Sequence, residues 1–420
     1  MKRFIHTPEG VRDIMAVECD KKRYLERRID KLFRSYGYQS IQTPSMEFFD
    51  VFAREVGSIP SRDLYKFFDR EGNTLVLRPD FTPSIARAAA MYFNQEEMPL
   101  RLSYSGSVFQ NNSSYQGRLK ESTQMGVELL NDGSVEADAE VIALAVQTML
   151  RAGITEFQVN IGEVNYFQSL VEEALLDEDT IAELKQLLEI KNLFGAQELI
   201  EKQNLRKDLS RAISEIPGLF GGAEVLKKAA DLTGNERARE AVVRLEKIYE
   251  LLKFYGCEKY VTFDLSMLSK YSYYTGIIFQ GFTYGTGDAV ITGGRYDDLL
   301  EKFGKKAEAI GFVTQVDSLL NAIDRQKLTL PVKDIKTMLL YPAYLEGLAV
   351  RFAADHRKQD MEVACVRFQS GHVLDDYSEY GKRNQFGGII YFASETEVYA
   401  INLATGETEP VDVSRYTEGK

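Results

Sequence analysis

The chain has 420 residues, 44% of them hydrophobic and 27% charged, and a net charge of −12. These totals describe an ordinary globular protein of two or three domains and disfavour a nucleic-acid surface unless one face is locally basic. Three scattered cysteines with no CxxC, and three scattered histidines, argue against a disulfide framework, a zinc site or any other metal centre. No apolar run reaches the length of a membrane span, and Met1 to Gly10 has a basic pair without the apolar segment of a secretory signal. A cytoplasmic protein without membrane contact is expected.

In chain order, Ala16 to Tyr36 carries apolar residues at helical intervals (Tyr24, Ile29, Leu32, Phe33) and stops at Gly37. A strand from Tyr38 to Pro44 follows, then a strand from Thr74 to Pro79 and a helix from Thr82 to Tyr92. Leu100 to Phe109 and Ser122 to Leu130 read as antiparallel strands. Val135 to Ala152 is a long amphipathic helix, and Phe157 to Gly162 a strand. From about residue 165 to 255 the pattern is helical and strongly charged, broken at Pro217-Gly218 and Gly221-Gly222. Strands resume at Val261 to Leu265, so this stretch reads as a helical insertion. Gly276 to Phe282 and Asp288 to Thr292 are the next strands, ahead of Gly293-Gly294-Arg295-Tyr296.

Polar residues and Pro331 between Asp324 and Lys336 mark a linker. Beyond it, short strands at Thr337 to Tyr341, Met361 to Val366, Gly388 to Phe392 and Val398 to Asn402 are interleaved with helices at Glu346 to Lys358 and Asp375 to Asn384. The expected division is a core over residues 1–325 containing the insertion, and a small C-terminal α/β domain over 336–420.

Several residues suit one small ligand. Arg78-Pro79-Asp80-Phe81-Thr82 sets a carboxylate and a hydroxyl where a strand runs into a helix, which suits an ammonium group. Gln124 and Glu128 lie four apart on a strand and so share a face. A carboxylate there can take a proton from a nitrogen heterocycle. Tyr273 and Tyr274 precede Thr275-Gly276, and at least one can face the same site. Taken singly, Glu128 reads as a solvated strand carboxylate and the tyrosines as core. Their order and spacing as a set carry the functional reading.

That order resembles the catalytic core of class II histidyl-tRNA synthetase, from Thr7-Pro8-Glu9-Gly10 to about Leu320 with the helical region interrupting it. The most specific strings are Tyr274-Thr275-Gly276 and Thr292-Gly293-Gly294-Arg295-Tyr296-Asp297, the latter resembling a glycine turn that lets backbone approach the ligand. The resemblance implies an α+β fold with an antiparallel sheet core, and a dimer interface built from Tyr36-Gly37-Tyr38 and Thr43-Pro44. It also implies a histidine site in which Asp80, Thr82 and Gln124 hold the amino group while Glu128 and Tyr273, beside Tyr274, read the imidazole. The clamp departs from the family: Gln110, Ser269 and Ser318 stand where the synthetases have arginine, and Asn112, Gln315 and Asp317 are substituted as well. Arginine forks suit the charge that builds on the α-phosphate during activation, and losing one such donor typically costs about 10²–10³ in rate.

Chains of this kind that lack those arginines resemble the ATP phosphoribosyltransferase regulatory subunits, and Leu77-Arg78-Pro79-Asp80-Phe81-Thr82-Pro83 fits that group better than a true synthetase. The resemblance implies no catalytic residues of its own, no cofactor, and a histidine effector. It also implies a homodimer within a hetero-octamer with a short-form catalytic subunit, acting in the first step of histidine biosynthesis. The tail sits where the synthetases carry an anticodon-binding domain. Its nine Lys and Arg against thirteen Asp and Glu make it a poor phosphate binder, so a structural role or partner contact is expected of it. The competing readings are an active or degenerate histidyl-tRNA synthetase and a stand-alone histidine sensor.

Overall fold

The charge-rich N-terminal segment folds as α1 (Ala16–Ser35), burying Leu25, Ile29, Leu32 and Phe33 along one stripe. It ends ahead of Gly37, whose φ of +83° takes the chain out of the helix. The computed structural model describes residues 5–52, 59–112, 119–267, 273–332 and 336–417. They fall into two units, Met1–Leu330 and Pro331–Lys420.

In the first unit, β1 (Gln39–Ser40), β2 (Met46–Phe48), β3 (Lys66–Phe68) and β4 (Thr74–Leu77) lead into α2 (Thr82–Tyr92). The hairpin β5 (Leu100–Phe109) and β6 (Glu121–Leu130) precedes α3 (Val135–Arg151), whose N-cap Ser134 accepts from the Ala137 amide at 3.1 Å. Such a cap stabilises a helix by about 1 kcal/mol. After β7 (Phe157–Glu163) come α4 (Val164–Glu173), α5 (Glu178–Glu189), α6 (Leu193–Glu201), α7 (Lys207–Glu215), the two-residue β8 (Phe220–Gly221), α8 (Glu224–Leu232) and α9 (Glu236–Phe254). The chain returns through β9 (Val261–Asp264), β10 (Ile277–Thr283), β11 (Ile291–Arg295), β12 (Ala309–Gln315) and α10 (Val316–Arg325).

The main sheet has nine strands in the order β1-β5-β6-β12-β11-β10-β7-β9-β8. Its centre, from β5 to β7, is antiparallel, while β1 on β5 and β9 on β7 pair parallel. The same unit has a separate three-stranded sheet of order β2-β4-β3. The α+β class with an antiparallel core is thus the observed one.

Three details differ from the sequence reading. The strand expected from Tyr38 to Pro44 shrinks to Gln39–Ser40. The strand placed at Asp288 to Thr292 runs instead over Ile291–Arg295, so Gly293 and Gly294 lie within β11 rather than in a turn. Glycine weakens a strand, which is why pattern reading stops short of the pair. What requires them is crowding: a Cβ on Gly294 would lie 2.6 Å from the Tyr274 ring and from the Ile277 carbonyl oxygen. Finally, β12 and α10 are not among the expected elements. β12 is buried along most of its length and so lacks the alternation that marks a half-buried strand.

In the second unit, β13 (Lys336–Tyr341), α11 (Glu346–Arg357), β14 (Val363–Arg367), α12 (Leu374–Arg383), β15 (Phe386–Phe392), β16 (Val398–Asn402) and β17 (Thr408–Pro410) form a sheet of order β14-β13-β15-β16-β17. Alternate residues of β13 serve opposite faces. Leu339 and Tyr341 pack with Leu348 and Phe352 of α11, whereas Met338 and Leu340 pack with Tyr377 of α12. A parallel core covered on both faces is the arrangement that such crossovers produce.

Candidate functional site

The β4–α2 junction is held by Arg78. Its guanidinium donates to the Ser107 carbonyl at 2.9 Å and the Thr43 carbonyl at 2.7 Å, and lies 3.9 Å over the Phe81 ring. Phe81 in turn stacks on Tyr104. This anchoring presents Asp80 and Thr82, each 9% exposed, to a cavity of about 40 Å³.

β6 supplies the opposite wall. Gln124 pairs in register with Gln315 of β12, and Glu128 with Gly311. A Cβ at position 311 would lie 1.7 Å from Glu128 Oε2, so only glycine lets the carboxyl lie across β12. Glu128 is 1% exposed. It accepts from Thr82 Oγ1 at 2.8 Å on one oxygen and from the Tyr296 hydroxyl on the other. Burial pushes its carboxyl up to about 8, against the pull of those hydrogen bonds, so it keeps its proton at neutral pH.

Asp80, Thr82, Gln124, Glu128, Tyr273 and Tyr274 all line this cavity, as does the substituted position Gln110. Gln110 is turned back onto the β4–α2 junction, donating to the Pro79 carbonyl at 3.2 Å. The Thr82 hydroxyl donates its proton to Glu128 and keeps its lone pairs for the ammonium donor expected there. Gln124 is the informative case. Its Oε1 is buried without a hydrogen-bond partner among the described residues, and such a desolvated acceptor costs about 1–3 kcal/mol until a donor arrives.

Tyr296 has no role among the expected site residues. Its hydroxyl anchors Glu128, and its ring meets Tyr273 edge-on at 6.0 Å. No local signal separates it from a core tyrosine, because the contact crosses from β11 to β6.

A second cavity of about 820 Å³ shares Gln110, Tyr274, Thr292 and Gln315 with the first. Ser318 lines it, together with the substituted Asn112, Gln315 and Asp317. Among its described lining residues there is no lysine or arginine, and the charged ones are Asp288 and Asp317. Asp317 is already committed, accepting from Lys22 at 2.9 Å and from the Thr123 amide at 2.6 Å. Ser269, the remaining substituted position, lies outside the described residues. Among the described residues, no three His, Cys, Asp or Glu side chains converge as a metal site, and no helix is long and apolar enough to cross a membrane.

Residues 10–319 match the histidyl-tRNA synthetase family. The chain is 40% identical to the ATP phosphoribosyltransferase regulatory subunit of Acetivibrio thermocellus, over 98% of each chain. It is 37% identical to that of Ruminiclostridium cellulolyticum over 96% of each. Among solved structures, an ATP phosphoribosyltransferase regulatory subunit/histidyl-tRNA synthetase from Bacillus halodurans superposes with a TM-score of 0.83 at 32% identity, covering 92% of this chain and 98% of that one. Histidyl-tRNA synthetase from Nostoc sp. PCC 7120 shares the fold, with a TM-score of 0.81 at 19% identity over 99% and 98% of the two chains. Matched over nearly its whole length at this identity, the chain belongs to the ATP phosphoribosyltransferase regulatory subunit family, built on the histidyl-tRNA synthetase fold.

Proposed function

We propose that this chain is a histidine-sensing regulatory subunit with no catalytic activity of its own, acting on a short-form ATP phosphoribosyltransferase catalytic subunit. The observation that carries the reading is the contrast between neighbouring cavities. The smaller one keeps a buried, proton-holding Glu128 and an unpartnered Gln124 oxygen. The larger one lacks cations among its described lining. In this reading an amino acid is held without the arginines at positions 110, 269 and 318 that would help activate it with ATP.

In this reading the imidazole lies against Glu128 and Tyr273, and the α-amino group donates to Asp80, Gln124 and the lone pairs of Thr82. The rest of the ligand points toward the cavity shared through Gln110 and Gln315. Binding inhibits the partner if it favours one packing of the assembly over another, and a coupling of about 1–3 kcal/mol suffices for a substantial response. The proposed assembly is a hetero-octamer containing homodimers of this chain. The acidic C-terminal unit takes a role in partner contact rather than in binding nucleic acid.

The test is calorimetric titration with L-histidine, alone and with a short-form catalytic subunit whose turnover is followed. Saturable binding together with inhibition is the expected result. Absence of binding in both states would move the sensing site elsewhere, and histidine-dependent ATP–pyrophosphate exchange would restore the synthetase reading.

A further inference from the structure

A chain of ion pairs centred on the buried Asp138 runs from the helical insertion to the tyrosines of the small cavity. Arg244, on α9, donates Nε to Asp138 Oδ2 at 2.7 Å, and its Nη2 reaches the same oxygen at 2.5 Å. Asp138, on α3, is fully buried. Its other oxygen receives Arg295 Nε at 2.9 Å and Nη2 at 2.6 Å. Arg295, only 4% exposed, also donates Nη1 to Asp297 Oδ1 at 3.1 Å. Two guanidiniums thus share one carboxylate, each through a fork of fixed geometry.

The far end of the chain holds the pocket wall. The Thr275 amide donates to the Arg295 carbonyl at 2.8 Å, and the Asp297 amide donates to Thr275 Oγ1 at 3.0 Å. Thr275 follows Tyr274, and Arg295 precedes Tyr296, so these two pocket tyrosines are each one residue from this lock. A second tether comes from the start of α4, where Asn165 Nδ2 donates to the Thr275 carbonyl at 2.9 Å and to Glu163 Oε1 at 2.8 Å. The segment carrying Tyr274 is therefore clamped between the insertion and β11.

We propose that Arg244 is a positioning residue for the ligand pocket: through Asp138 and Arg295 it fixes Tyr274, Thr275 and Tyr296, so that the placement of α9 and the occupancy of the pocket are coupled. A buried carboxylate held by two arginines has few alternative arrangements, because withdrawing Arg244 leaves Asp138 Oδ2 without these donors in the core and withdrawing Arg295 leaves its own buried guanidinium without Asp138. Displacement of α9 is transmitted rather than absorbed. By reciprocity, a ligand that packs on Tyr296 and Tyr274 stiffens the α9 end of the relay. This inference rests on the proposed histidine pocket, and its test has one arm that needs no ligand.

The experiment compares the wild-type chain with Arg244→Met, which removes the fork, and Arg244→Lys, which keeps the charge without it. The first readout is amide hydrogen exchange at Thr275 and Asp297. We expect about tenfold faster exchange there in Arg244→Met. The second is histidine affinity in a double-mutant cycle with Tyr296→Phe. We expect Arg244→Met to weaken binding about fivefold, Arg244→Lys to recover part of that, and the double variant to lose less than the product of the single losses. Faster exchange confined to α9, or losses that multiply independently, would overturn the proposal. If Arg244→Met fails to fold, the same two readouts on Arg244→Lys decide. If the wild type does not bind histidine, exchange at Thr275 still tests the relay, so the two readings fail separately.

Discussion

The two adjoining cavities differ in how their polar groups are committed. In the small one, Glu128 is enclosed with its hydrogen-bond donors already in place and its proton held to about 8. In the large one, Gln110 has turned onto a backbone carbonyl and Asp317 is tied to α1 and β6. One cavity keeps an open acceptor at Gln124, as the proposed ligand site requires; the other has had its polar groups drawn into the fold. Under the proposed function, the binding shell is kept and the clamp lost even though their cavities share Gln110, Tyr274, Thr292 and Gln315.

The comparison breaks most directly at Glu128. Glu128→Ala removes a charge-assisted partner of the ligand, so histidine affinity should fall about a hundredfold. Assembly with the catalytic subunit should remain intact while inhibition by histidine is lost, as measured by calorimetry and partner turnover. Unchanged sensitivity would show that this cavity is not the sensor.

Next comes the emptied clamp. Gln110→Arg with Ser318→Arg should raise affinity for ATP about tenfold by restoring charge-assisted bonds to phosphate, measured by titration of the double variant. Histidine affinity should change little. A large loss of histidine binding in that variant would mean that the two cavities are not separable.

Proton linkage gives a comparable effect. Glu128 keeps its proton up to about 8, and a free imidazole loses its own at about 6.5. Between those values the separated partners carry one proton together, the one that a bound imidazole–carboxyl pair shares. Below that window a proton must be released on binding, and above it one must be taken up. Affinity should peak inside the window and fall about tenfold per pH unit outside it. Glu128→Gln should flatten the profile.

The free chain should carry the same mark in its stability. Glu128 ionises near 4.5 when unfolded and about 8 when folded. Its contribution is fully present below the lower value and is lost as pH rises through the upper one. Chemical denaturation of Glu128→Gln from pH 5 to 9 should lack that component. The smallest effect belongs to Tyr296→Phe, which removes one hydrogen bond to Glu128 and should weaken histidine binding about fivefold.

Much of this site was legible before folding because its members sit on regular elements. Gln124 and Glu128 share a face by strand period, and Asp80 with Thr82 sits at a strand-to-helix junction whatever the tertiary context. The glycines of β11 and the role of Tyr296 were not legible. Their reasons are an aromatic ring approaching from Tyr274 and a hydroxyl reaching across from another strand. The relay from Arg244 to Arg295 is less legible still, since its members are separated by more than a hundred residues in the chain.

The sequence by itself determined the order of elements, the family resemblance, and the absence of arginine at Gln110, Ser269 and Ser318. Those follow from residue identity, periodicity and short-range spacing. Tertiary structure alone decided that Glu128 holds its proton, that Gln124 is left with an open acceptor, and that Asp138 serves two arginines. Each of those depends on burial and on partners brought from distant strands. A side chain's solvation is set by everything packed around it, and no local pattern encodes that.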